Sequence, residues 1–223
     1  MSKPRVLLSW SSGKDSAWSL HVLRQQNEVE VMGLLTTLNN THQRVAMHAV
    51  RKSLLQAQAA AAGLPLWTID LPWPCPNETY ETLMSALMQR ARSERVDEIA
   101  YGDLFLQDIR DYREARHQGS GIGTRFPLWQ RPTDRLAREM IDGGLCARLT
   151  CVDPKQLDAR FAGRDFDHGL LAELPPTVDP CGENGEFHSF AYRGPMFERP
   201  IAIASGDIVE RDGFVFADLL PDD

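Results

Sequence analysis

Two short stretches of the chain carry residue types in patterns that can do chemistry. The first is "VLLSWSSGKDSAWSL", residues 6–20, where an apolar run gives way to Ser11, Ser12, Gly13, Lys14, Asp15 and Ser16. A loop leading from a strand into a helix leaves backbone N–H groups free to hold anionic oxygens. Gly13 can take backbone conformations that other residues resist, the hydroxyls of Ser11, Ser12 and Ser16 can donate at short range, and Lys14 adds positive charge. A phosphate site is the direct chemical reading. The structural alternative is a polar helix start with Ser11 or Ser12 as the N-cap. The loop of P-loop NTPases, GxxxxGK[ST], does not fit, because Asp15 follows the lysine and Leu8 stands where the first glycine belongs.

The second stretch is "DPCGENGEFHSF", residues 179–190. In an extended run Glu186 and His188 point one way and Phe187 the other. Glu183 joins them if Gly182 and Gly185 fold the loop back. A carboxylate beside an imidazole can transfer a proton, position an amine or help hold a metal ion. The residues alone favour a glycine-bounded turn into an edge strand, with solvated carboxylates and a surface histidine. "GSGIGT", residues 119–124, looks like a phosphate loop only superficially: it follows a predicted helix, lacks the fingerprint spacing and reads as a flexible loop.

The elements that must position these stretches follow from periodicity. Val6–Trp10 reads as a buried strand, Ser16–Gln26 as a helix and Val29–Leu35 as a second buried strand, which together make a βαβ unit. Helices are expected at His48–Ala62, Asn77–Arg92, Leu106–Arg116 and Thr133–Ile141, and strands at Leu66–Leu71, Glu98–Tyr101, Phe126–Trp129 and Cys146–Val152. Repeated alternation implies an α/β fold with a mostly parallel sheet covered by helices. After Leu174 prolines become frequent, and strand-like pieces at Phe187–Tyr192, Pro200–Ala204 and Phe214–Ala217 predict a smaller, strand-rich portion. A boundary near residue 130 divides the chain into 1–130 and 131–223.

A length of 223 residues with 43% hydrophobic residues supports a large core, and the net charge of −7 argues against a broad nucleic-acid footprint. A local basic patch around Arg110, Arg113 and Arg116 remains compatible with that charge. Cysteines 75, 146, 151 and 181 form neither a CxxC pair nor a disulfide framework, so a reducing compartment fits. Only Cys181 lies in a candidate site loop. The opening apolar run is too short for a signal peptide and no run of about 18 apolar residues exists, so a soluble cytoplasmic protein without a membrane span is expected. His21 and His48 read as helix packing residues, and His42 and His117 as exposed.

The opening loop resembles the SGGxDS signature of the PP-loop, or ATP pyrophosphatase, superfamily, with Ser12 in place of the second glycine. With "YGDLFLQDIRDYRE" at 101–114, "RFPLW" at 125–129, "LAREMIDGGLCARLTCVDPKQLD" at 136–158, "RDGFVFADL" at 211–219 and the 179–190 stretch, the chain resembles the diphthine-ammonia ligase family from Val6 almost to Leu219. The resemblance implies a Rossmann-like ATP-binding domain of the PP-loop type and a family-specific C-terminal portion. It implies that ATP, with Mg²⁺, adenylates a carboxyl acceptor, diphthine or a related acid, and that ammonia displaces AMP. Ser11, Ser12, Gly13, Lys14, Asp15 and Ser16 then meet phosphates, with Asp15 organising the metal. Gly33 and Leu34 meet adenine; Gly102 and Asp103 lie on the ligand edge, where Asp103 faces ribose or acceptor or else serves a turn or helix cap. Glu183, Glu186 and His188 serve the acceptor side, with His188 as a proton acceptor. The CGENGEFH form departs from the GxGGEYET-like form of archaeal and eukaryotic relatives, and this bears on the acceptor more than on ATP. Thiolation, another small-molecule adenylation and a non-catalytic nucleotide sensor are the alternatives; the acceptor can be a small molecule or a modified protein, and a homodimer is allowed.

Overall fold

The computed structural model describes residues 2–39, 44–45, 50–72 and 74–222. Strand β1 (Arg5–Ser9) leads through the serine loop into helix α1 (Lys14–Gln26) and on to β2 (Glu30–Asn39), which pairs with β1 in parallel. A two-residue strand, β3 (Arg44–Val45), turns back antiparallel on the end of β2. Helix α2 (Lys52–Ala61), strand β4 (Leu66–Leu71), α3 (Asn77–Ser93), β5 (Glu98–Ala100), α4 (Gln107–His117) and β6 (Gly123–Arg125) complete the first half. The parallel strands run in the order β4-β2-β1-β5-β6. Because β1 is central, Val6, Leu7 and Leu8 are all buried and the strand shows no polar alternation.

The two faces of that sheet feed two cores. Val6 and Leu8 point into a large cluster with Leu20 of α1 and Leu54 of α2, whereas Leu7 joins Trp67, Leu87 and Ile99 in a smaller one under α3. The large cluster continues without a break into the second half through Leu149, Phe166 and Phe190. There, α5 (Thr133–Asp142), β7 (Cys146–Val152), a 3-10 turn at Ala159–Phe161, α6 (His168–Glu173), β8 (Phe187–Arg193), β9 (Ile203–Arg211) and β10 (Phe214–Pro221) follow. The four strands form an antiparallel sheet in the order β8-β7-β10-β9. Arg24 of α1 bonds the Met196 carbonyl (2.9 Å), and Arg51 pairs with Asp218 (2.5 Å), so polar contacts join the halves as well.

Several boundaries differ from those expected. The strand expected at Phe126–Trp129 is a turn, and the sheet takes Gly123–Arg125 from the segment expected to be a loop. A β-carbon on Gly123 would press on Glu98 Cγ at 3.3 Å, and Arg125 pairs with Glu98 (2.5 Å), so the edge register is set by tertiary contacts. The strand expected at Pro200–Ala204 is instead β9, Ile203–Arg211, which runs on through Gly206 and Asp207 beside β10. The described part of α2 starts at Lys52; His42 and His48 lie outside the described residues.

Candidate active site

The loop after β1 lies at the carboxyl edge of the parallel strands, where open α/β sheets bind ligands. Gly13, not a serine, is the N-cap of α1, and no side chain caps the helix. The serine-cap alternative therefore fails, and the helix opens toward the cleft with N–H groups suited to an anion. Ser16 donates to the Gly13 carbonyl (3.0 Å), which leaves Ser11 as the donor in the Ser11–Ser16 hydroxyl contact (3.2 Å). Across the loop, a β-carbon on Gly102 would lie 3.2 Å from backbone atoms of Asp15 and Ser16, so only glycine lets β5 end so close to α1.

Ser12 has φ of 71°, a left-handed conformation that costs a non-glycine residue about 1–2 kcal/mol. Its carbonyl accepts from Ala191 N of β8 (2.9 Å) and from Gln58 Nε2 of α2 (2.9 Å). Gln58 is fully buried; it also donates to the Ala191 carbonyl (2.6 Å) and accepts from the Trp10 indole (2.9 Å). One amide thus joins the end of β1, the strained residue and the second sheet, which holds the strain in place.

Lys14 is buried at 2% exposure. Its backbone N–H donates to Ser189 Oγ (3.2 Å), and its ammonium donates to Asp15 Oδ2 (2.8 Å) and to the Cys181 carbonyl. The rings of Phe187 and Phe166 stand 5.3 and 5.6 Å from Nζ. Burial opposes the charged form of Lys14, but the Asp15 carboxylate, with Glu183 behind it, outweighs burial and raises the pKa. Burial likewise pushes the Asp15 pKa up, with Lys14 opposing. Asp15 Oδ1 is buried without a hydrogen-bond partner. Such an orphaned carboxylate oxygen on a phosphate-type loop fits a hard cation. Among the described residues no group of three or more His, Cys, Asp or Glu side chains could hold a metal, so Mg²⁺ here would share Asp15 with phosphate oxygens and water.

The loop from Asp179 to Glu186 faces this one. Asp179 Oδ2 accepts from the N–H groups of Cys181 (3.1 Å) and Glu183 (3.0 Å), and its Oδ1 accepts from Thr133 (2.5 Å). Glu186 Oε1 accepts from Asp179 N (2.8 Å) and Asn184 (3.1 Å). Gly182 has φ of +70°, and a β-carbon there would meet the Phe187 carbonyl at 2.9 Å. The fold-back that the glycines allowed does occur and brings Glu183 Oε1 to Leu104 N (2.7 Å) at the end of β5. Burial, reinforced by Asp15 and Asp103, raises the Glu183 pKa from 4.5 to about 7. Burial and the Lys14 charge lower that of His188 to about 4, so the imidazole is neutral near pH 7. Burial holds the Cys181 thiol far above its ordinary pKa.

A cleft of about 220 Å³ brings both stretches together: Ser11, Gly13, Lys14, Asp15 and Ser16 on one side, Glu183, His188 and Ser189 on the other, with Gly102 and Asp103 between. Four expected residues stand elsewhere. Ser12 is buried beneath the loop. Gly33 and Leu34 are interior to β2, which continues to Asn39; Leu34 is paired with β1 and β4, and a β-carbon on Gly33 would meet the Pro65 carbonyl at 2.9 Å. Glu186 does not line the cleft beside His188 but turns inward to brace its own loop. Asp103 is neither a turn nor a cap residue: it forms a bidentate pair with Arg113 of α4 (2.5 and 3.1 Å). Reading the residues missed Gln58, Asp179 and Ser189, and named Arg113 only as part of a basic patch. The Asp179-Pro180 start of a turn was the one local signal among them.

A doubly covered parallel sheet, with a buried lysine at the start of its first helix and carboxylates from a second sheet facing it, defines a nucleotide-binding α/β protein of the PP-loop type. The family model for the diphthamide synthase N-terminal domain matches residues 4–122, and that for the diphthamide synthase C-terminal domain matches residues 132–216. The chain belongs to the diphthamide synthase family. It is 26% identical over 243 residues to a diphthine–ammonia ligase from Homo sapiens, covering 96% of this chain and 88% of the relative. A diphthine–ammonia ligase from Bos taurus is 25% identical over the same shares, and one from Danio rerio is 28% identical over 71% of this chain and 68% of its own length. Among the described residues no helix is long and apolar enough to cross a membrane.

Proposed function

We propose that this chain is an ATP-dependent, AMP-forming amide ligase that adenylates a carboxyl acceptor and passes the acyl group to ammonia. The observation that carries the proposal is the single cleft that Lys14, Asp15 and Glu183 line together, brought in from two sheets. The acceptor carboxylate attacks the α-phosphorus of ATP and pyrophosphate leaves. The Lys14 ammonium and the opening N–H groups of α1 stabilise the charge that gathers on the departing oxygens. Mg²⁺, held by Asp15 and the phosphates, supplies further charge neutralisation when bound. Ammonia then attacks the acyl carbon, AMP leaves, and a proton passes from the attacking nitrogen to Glu183. With a pKa of about 7, Glu183 suits that proton transfer better than His188 at about 4. His188 acts as a neutral wall of the acceptor side.

In this reading residues 1–130 form the nucleotide half and 131–223 the acceptor half. The acceptor is diphthine, as in the names of the relatives, or another carboxylic acid. Thiolation is disfavoured by the buried, protonated Cys181, the cysteine in the cleft. The test is incubation with ATP, Mg²⁺, ammonium and a panel of carboxylic acids, including diphthine-bearing elongation factor. Equal amounts of AMP, pyrophosphate and amide are expected. ADP and phosphate would refute the reaction class, and ATP binding without turnover across the panel would favour a sensor.

A further inference from the structure

A second cleft, of about 480 Å³, lies between α3 and α4, and the ligase chemistry makes no use of it. Its size is within the range of small-molecule sites, roughly 300–1,000 Å³. Its floor is the buried pair Tyr101 and His117, a correction to the expectation that His117 is exposed. His117 Nδ1 lies 3.0 Å from the Ile122 carbonyl, which can only accept, so Nδ1 carries the proton. Nε2 then accepts from the Tyr101 hydroxyl at 2.8 Å. With both ring nitrogens engaged, the floor is neutral, and the charge of the cleft comes from its walls.

Those walls are positive. Arg92, Arg113 and Arg116 line the cleft against one carboxylate, Glu81, on a chain whose net charge is −7. Arg116 pairs with Glu81 and Arg113 with Asp103, but among the described residues Arg92 bonds the carbonyls of Ser120 and Gly119 and no carboxylate. The aromatic faces that could cage a cationic ligand already carry the protein's own cations. The Arg113 guanidinium stands 4.3 Å over the Tyr101 ring, and that of Arg116 stands 5.2 Å from Tyr80 and 5.8 Å from Tyr112. Arg113 lines both this cleft and the Lys14 cleft, so a ligand seated in one is next to the other.

We propose that the α3–α4 cleft is a second binding site, which takes a carboxylate- or phosphate-bearing part of the acceptor through Arg92 and Arg116 while the reacting carboxyl enters the Lys14 cleft past Arg113. This rests on the ligase reading for its role, but the site itself can be tested without turnover. Phenylacetate, phenyl phosphate and neutral phenylacetamide are the probes, titrated against the full chain and followed by ligand-observed NMR and calorimetry. Both anions bind, the amide binds at least about tenfold more weakly, and Arg92→Gln with Arg116→Gln raises the anion Kd about tenfold or more. Because Arg92 also holds the Gly119–Ser120 turn, Arg116→Gln with Tyr112→Ser serves as a second variant if the first melts early. Equal binding of acid and amide, no binding of either anion, or Kd values indifferent to both variants would overturn the site. Anion binding without AMP formation from any acceptor keeps the site and sinks the ligase reading. AMP formation with an acceptor KM unchanged in the variants does the reverse.

Discussion

The loop after β1 and the loop from Asp179 to Glu186 face each other across one cleft, and they are held by opposite means. The first is held from outside: its strained Ser12 is fixed by Ala191 of the second sheet and by Gln58 of α2. The second is held from within, because three of the four carboxylate oxygens of Asp179 and Glu186 accept hydrogen bonds from the loop or from Thr133. The contrast sorts the acidic residues by what their oxygens already do. Asp179 commits both oxygens to holding the loop and Glu186 commits one, its Oε2 being buried without a partner as Asp15 Oδ1 is; Asp15 and Glu183, whose pKa burial raises, differ from them in lining the cleft.

The largest effect comes from the charge that both loops surround. Lys14→Met removes the ammonium shared by Asp15 and the Cys181 carbonyl while keeping the apolar stem. AMP formation falls about 10²–10³-fold, about 2.7–4 kcal/mol of transition-state stabilisation, as measured by chromatography of quenched reactions. Next is the outside brace. Gln58→Leu strips the Trp10 indole of its partner and takes a donor from both the Ser12 and Ala191 carbonyls, at a cost of about 2–3 kcal/mol in denaturant unfolding. Leu87→Ala, in the other core, costs about as much. If the brace positions the loop, only Gln58→Leu also weakens ATP binding by calorimetry; equal loss in both variants would reduce Gln58 to a packing residue.

The difference between the loops also explains what could be read before the fold was known. Lys14 and its neighbours were legible because a strand, a small-residue turn and a helix follow one another directly, so local order alone sets the geometry. Glu186 escapes strand alternation because it is still inside the turn, where Gly185 has φ of +84° and the strand begins only at Phe187. Gly33 and Leu34 look like a strand end because the polar Thr36 and Thr37 hide the last residues of β2, where the Thr36 hydroxyl bonds the Trp10 carbonyl. Gln58 was invisible: in an alanine-rich helix nothing local separates a buried amide from a solvated one. The Asp103–Arg113 pair spans a strand end and a helix ten residues apart, a relation set by packing and not by periodicity.

Glu186→Ala and Glu183→Gln break the comparison in opposite directions. The first leaves the Asp179 N–H without its acceptor and costs about 1–3 kcal/mol, read as a lower unfolding midpoint. The second keeps an acceptor for Leu104 N and changes the pH behaviour instead. Because the Glu183 pKa is raised from 4.5 to about 7, the folded state binds the extra proton between those values. Its contribution to stability is therefore highest at low pH and declines as pH rises through that window, and Glu183→Gln flattens the decline. AMP formation at constant free ammonia rises through about pH 7, and Glu183→Gln removes that limb. His188→Gln keeps the limb, because an imidazole with a pKa of about 4 does not titrate there. Loss of the limb in His188→Gln alone would return the proton transfer to the imidazole.

The smallest effect tests the strain itself. At φ of 71° glycine escapes the cost that serine bears, but it adds freedom to the unfolded chain worth about 0.4–1 kcal/mol. Ser12→Gly also removes a hydroxyl that bonds only the neighbouring Ser11 carbonyl. The second term offsets part of the first, so the stability of Ser12→Gly stays equal or rises by up to about 1.6 kcal/mol. Ser12→Val, with a branched β-carbon in the same conformation, loses about 1–3 kcal/mol. Denaturant unfolding of the pair measures this ordering. If valine is tolerated as well as glycine, Ala191 and Gln58 are not holding a left-handed residue, and the outside brace has to be ascribed to Trp10 alone.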